Sequence, residues 1–127
     1  MPTASSISNT DVFLDELTEI QTIPVSPDLP ALLLNRERVR MAFSHMRDQA
    51  IFTNWRIIVA AQTRGGDMSY FSYPYARVQY FGIEAPELGA ASSRLTFAFS
   101  DGTRLRLGLC SPVDMHKVSL LVEGYIM

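Results

Sequence analysis

Cysteine is nearly absent from this chain: Cys110 is the only one in 127 residues. A lone thiol closes no internal disulfide, so nothing here favours an oxidising compartment. Long apolar runs are missing too. The nearest approach, Ile57 to Ala61, falls far short of the roughly 18 residues that read as a membrane span. Met1 to Thr10 has neither a basic start nor an apolar stretch, so no signal peptide is expected and the cytoplasm is the expected location. Positive charge is absent from residues 1–34, which hold Asp11, Asp15, Glu16, Glu19 and Asp28. The other eight acids and all eleven bases follow, so the first segment carries −5 and the rest +3, giving the net −2. That balance excludes a strongly basic nucleic-acid binder, and no nucleic-acid partner is expected. With 47% apolar and 19% charged residues, intrinsic disorder and a coiled coil are equally disfavoured.

What is present is one domain's worth of protein with an acidic arm. In the arm, Asn9 or Thr10 can cap a helix in which Phe13, Leu17 and Ile20 share a face, with acids in its first turn. Pro24, Pro27 and Pro30 then stop it. The arm is therefore expected over residues 1–34 as a short helix plus a Pro-rich linker, and the domain proper over 35–127.

From Arg36 the period becomes two. Val39, Met41 and Phe43 alternate with Arg38, Arg40 and Ala42, predicting a strand with one buried face. Further strands are expected over 49–53, 56–62, 68–73 and 77–84, with Pro74 at a junction that tolerates its missing N–H. Leu95, Phe97 and Phe99 alternate with polar or small residues, Asp101-Gly102 suggests a two-residue type I′ turn, and Leu105, Leu107 and Leu109 return. Ser111, Pro112 and Asp114 then form a helix start, followed by a stripe of Val118, Leu121, Val122 and Tyr125. Seven short strands over 36–110 and a helix over 112–126 predict a mainly β fold, an antiparallel barrel or sandwich with a C-terminal helical cap.

At this point particular residues become familiar. Arg38–Phe43, the run Ile51-Phe52-Thr53-Asn54-Trp55-Arg56-Ile57-Ile58-Val59, and Ser72-Tyr73-Pro74-Tyr75-Ala76-Arg77-Val78 resemble the bacterial pleckstrin-homology domain family. The shared features are a Thr-Asn-x-Arg turn before the third strand and a Pro-Tyr entering the fifth, with a basic residue two positions later. The resemblance covers about residues 29–127 and implies a PH-like barrel of largely unassigned role, with members that assemble into symmetric rings. It implies likeness to the eukaryotic phosphoinositide-binding domains in fold only. Trp55 departs from the pattern, standing where a Lys is common, and Asn35-Arg36 replaces a Gly-containing turn.

Catalysis would have to use His45, His116, Asp48, Asp114, Ser111 and Cys110, and no pair of these has the spacing of a triad or of metal ligands. No enzyme activity, metal or cofactor is expected. Arg36, Arg38 and Arg40 fall on one strand face, and Arg104 and Arg106 on another. They read either as a solvated outer face or as a weak anion site for lipid head groups. Ile57–Ala61 and the aromatics from Tyr70 to Phe81 occupy both faces of their strands, more apolar surface than a small barrel buries. Non-catalytic self-association into a homo-oligomer, or contact with another protein, is thus the leading expectation. Trp55, Phe71, Tyr73 and Phe81 are its candidate contacts.

Overall fold

A computed structural model of the chain describes residues 6–7, 11–20, 32–63, 65–84, 93–110, 120–121 and 124. The strands are β1 (Ser6–Ile7), β2 (Asp11–Glu19), β3 (Val39–His45), β4 (Asp48–Thr53), β5 (Arg56–Gln62), β6 (Met68–Pro74), β7 (Val78–Glu84), β8 (Ser93–Phe99) and β9 (Arg104–Leu109). A 3-10 turn, Tyr75–Arg77, joins β6 to β7. The sheet runs β6-β5-β4-β3-β2-β9-β8-β7, with β1 added against β2. Its inner side rolls around a single large core to which β2 through β9 all contribute. Phe43, Phe52, Phe97, Leu14, Leu17, Leu105 and Leu107 are fully buried there. Phe52 stands between Phe43 and Phe97 at ring distances of 5.9 and 6.1 Å.

The helix expected around Phe13, Leu17 and Ile20 is instead strand β2. Val12 and Leu14 point into the core as alternation requires, and then the register slips between Leu14 and Leu17. Glu16 takes φ 57 at that bulge. One extra residue shifts the inward phase from 14 to 17, so a bulged strand acquires a spacing that mimics a helical face. The bulge also divides the strand's pairing. Asp11 to Leu14 and Leu17 lie parallel to β9, whereas Thr18 and Glu19 lie antiparallel to β3. The acidic segment is thus the seam that joins the two halves of the sheet.

Two further expectations change. The Asp101-Gly102 turn is not type I′, which needs positive φ at both central residues. Only Gly102 has one, at 90°, and Phe99 N–H donates to Thr103 O at 2.9 Å. The loop is the three-residue kind with glycine at its left-handed position. The outer face of β5 is also not left over for a partner. Ile58 packs with Ala42 and Ile51, and Ile20, Leu33 and Val39 of the same chain cover them. Of the expected C-terminal helix over 112–126, Leu120, Leu121 and Gly124 lie among the described residues, with helical backbone, and Leu121 packs on the main core. The rest of that segment, and the Pro24, Pro27 and Pro30 linker, lie outside them.

Candidate functional site

The Thr-Asn-x-Arg turn between β4 and β5 is built around a buried charge. Thr53 Oγ1 accepts from the backbone N–H groups of Trp55 and Arg56, each at 3.0 Å, and donates to Glu37 Oε2 at 2.7 Å. Arg56 meets Glu37 twice: Nε donates to Oε2 and Nη2 to Oε1, both at 2.8 Å. The same guanidinium reaches Leu32 O and Ser72 Oγ, and Leu34 N–H donates to Glu37 Oε1 at 3.0 Å. The Glu37 side chain is wholly buried. Burial alone would raise its pKa, but the bonds from Arg56, Leu34 and Thr53, with the charge of Arg56, hold it below the ordinary carboxylate value. Asn54 completes the turn by accepting from Arg38 N–H at 2.7 Å and donating to Arg36 O at 3.2 Å. Such a fork-to-fork pair is saturated, so it braces the turn and offers nothing to a substrate.

The turn displays Trp55. Its N–H and C=O are both engaged, the latter by Tyr75 N–H at 3.3 Å, while the residue stays 42% exposed. Arg36, Arg38 and Arg40 are all exposed, but they do not share one strand face: Arg36, at φ 70, and Arg38 precede β3, and Arg40 stands at a bulge. The backbones of Arg36 and Arg38 adjoin the Trp55 turn through their bonds to Asn54. Arg104 and Arg106 are exposed on β9, opposite Asp11 and Phe13 of β2. The two arginine groups thus lie on different parts of the sheet, and Arg104 of the second stands opposite Asp11.

The other candidate contacts separate. Tyr73 is buried, its ring 5.0 Å from that of Phe99, so it belongs to the core. Burial and the nearby charge of Asp101 push its hydroxyl up to about 12. Phe71 is half-buried against the core, and Phe81 stacks on Phe97 at 4.9 Å. The exposed apolar side chains of β7 are Tyr80, at 53%, and Ile83, at 37%. A bulge between Val78 and Tyr80 shifts that strand's phase, so alternation alone could not assign its outer residues. Glu37 was missed for another reason: its partners stand 16 and 19 residues away.

Among the described residues, two cavities open at the surface. One, of about 370 Å³, lies beside the end of β6 among Tyr70, Phe71, Tyr73, Arg77, Phe99 and Asp101. The other, of about 480 Å³, lies among Asp15, Glu16, Glu84, Arg94, Gly108 and Leu109. Of the groups weighed for catalysis, His45 and Asp48 are cross-strand neighbours in the β3–β4 hairpin, but their side chains make contacts elsewhere. His45 Nε2 is 3.8 Å from Glu16, Asp48 accepts from Gln62 N–H at 2.9 Å, and Cys110 is exposed with Sγ donating to Glu16 O at 3.4 Å. Ser111, Asp114 and His116 lie outside the described residues. Among the described residues no group of three or more His, Cys, Asp and Glu is placed to hold a metal ion. No helix among them is long and apolar enough to cross a membrane.

Against known proteins, the family model described as bacterial PH domain matches residues 10–122, which includes all of β2. An uncharacterized protein of Bacillus subtilis (strain 168), YjqA, is 30% identical over 76 residues, or 58% of this chain. The match spans 61% of that protein's length. Among crystal structures, a DUF1696 family protein with a pleckstrin-homology domain from Shewanella loihica PV-4 superposes with a TM-score of 0.74 at 21% identity. That match covers 89% of this chain and 99% of the other. A pleckstrin homology domain from Shewanella amazonensis SB2B gives 0.65 at 22%, covering 87% and 91%. A PH domain containing protein from Exiguobacterium sibiricum 255-15 gives 0.65 at 16%, covering 88% and 63%. At these identities the structural likeness speaks for the fold.

Proposed function

The chain belongs to the bacterial PH domain family, and from that premise we propose that it is a non-catalytic module that works by self-association through its sheet edges. The observation that carries this reading is edge strand β7. It ends the strand order of the sheet, it is seven residues long, and it exposes Tyr80 and Ile83. The strand at the other end, β6, is equally long and equally unpaired on its outer side among the described residues. A long edge with exposed apolar side chains is a template for another chain. Two different edges on one molecule make a heterologous contact, which repeats in one direction and gives a ring where its rotation closes. A net charge of −2 sets little long-range repulsion against it.

Lysine on an edge blocks pairing without touching the core. The full chain carrying Tyr80→Lys should therefore have a smaller mass in solution than the parent, with an unchanged melting temperature. An assembly that keeps its mass in that variant would refute the edge as the contact.

A further inference from the structure

The Trp55 turn and the acidic cavity lie at opposite ends of the same edge strand. Tyr75, which bonds to Trp55 O, stands three residues before the start of β7 at Val78. Glu84, which lines the cavity, ends β7. Seven residues of strand put the two ends about 20 Å apart. We infer that Trp55 of one copy inserts into the Asp15–Glu16–Glu84 cavity of the next copy, with Arg36, Arg38 and Arg40 set against its carboxylates. This rests on the self-association reading and names the surfaces that would meet.

Three features fit the pair. First, the indole is presented on a braced turn. Thr53 and Asn54 fix the backbone on both sides of it, so docking orders little that is not already ordered. The ring belongs to neither buried cluster of the protein's own core. Second, the charges are complementary. Between Asp28 and Asp48 the chain's only acid is Glu37, and it is consumed by Arg56, so the exposed surface of this segment is cationic. The cavity carries three carboxylates against the one guanidinium of Arg94. Third, the cavity has the shape for a guest. Its volume is about 480 Å³, and the missing side chain of Gly108 makes room for the Asp15 carboxylate on its wall.

The contact also sets the direction of the paired edges. β6 runs toward the Trp55 turn, since Pro74 pairs with Arg56, and β7 runs toward the cavity. Seating the turn of one copy in the cavity of the next lays β6 of the first parallel to β7 of the second.

Trp55 is the chain's only tryptophan, so its emission reports the site directly. The experiment follows emission and light-scattering mass of the full chain at about 0.15 M salt, where surface charge is screened as in cells. The parent should show blue-shifted emission while assembled and a red shift on dilution to smaller mass. Trp55→Ala, Arg38→Glu and Glu84→Arg should each weaken association tenfold or more with the melting temperature unchanged, and the double Arg38→Glu, Glu84→Arg chain should recover mass. Assembly that persists in all three single variants, or dissociation that the double variant leaves unrepaired, overturns this contact while leaving self-association standing. A parent that is monomeric throughout overturns both. Vesicles of anionic lipid that shift the emission of Trp55 with no change in protein mass would assign the patch to a lipid surface and overturn the contact.

Discussion

Removing one half of the Glu37–Arg56 pair leaves the other charge buried and uncompensated. Arg56→Met strips the Glu37 carboxylate of two of its four donors, and should cost about 3–5 kcal/mol in urea unfolding. An effect under about 1 kcal/mol would mean that the pair is solvated. The same carboxylate gives a pH signature. Its folded pKa lies below the ordinary value, so its contribution is complete above the unfolded pKa of about 4.3 and is lost as pH falls through the folded one. Glu37→Gln should flatten that acid limb of the stability curve, and a limb of unchanged slope would reassign it to other carboxylates. Of this site, Thr53, Asn54 and Arg56 were legible as a turn signature because they are adjacent in the chain. Glu37 was not, because long-range pairing leaves no local pattern.

At the scale of elements, bulges in β2, β3 and β7 decide what could be read. Strands β4, β5, β8 and β9 announce themselves by alternation or by a continuous apolar run, and the structure has them where those patterns fall. β3 is also in place, but a bulge between Val39 and Met41 breaks its expected single buried face: Val39 joins Ala42 in the outer cluster while Met41 and Phe43 face the main core. In β2 an added residue at Glu16 turned a strand into an apparent helical face, and in β7 a bulge hid which residues face out. Two substitutions separate these roles. Leu14 is completely buried in β2, so Leu14→Ala should cost about 2–5 kcal/mol. A melting temperature equal to the parent's would mean that the acidic segment is a dispensable arm. Phe81 stacks inward on Phe97, so Phe81→Lys should unfold the domain, where Tyr80→Lys one position away should leave it folded. Equal circular dichroism for the two variants would contradict the facing assigned to β7.

On the scale of the whole molecule, the sheet is a continuous path that ends, among the described residues, in β6 and β7, and the acidic segment serves as the seam in its middle. Charge follows the same polarity. An exposed arginine group accompanies the Trp55 turn, and carboxylates gather at the far end of β7. Such a molecule has a head and a tail, which is the requirement for repeated contact in one direction. Fold class was visible in the sequence because alternation is a property of each strand. The ends were not, because they are made by residues from β2, β7 and β9 that only the sheet brings together. Self-association is the claim on which the rest depends, and its most direct test is the mass of the unmodified chain by light scattering behind a sizing column. From micromolar to near-millimolar protein at about 0.15 M salt, the account predicts a discrete particle of several times 14.2 kDa that does not grow further with concentration. A mass of 14.2 kDa over that whole range would contradict it.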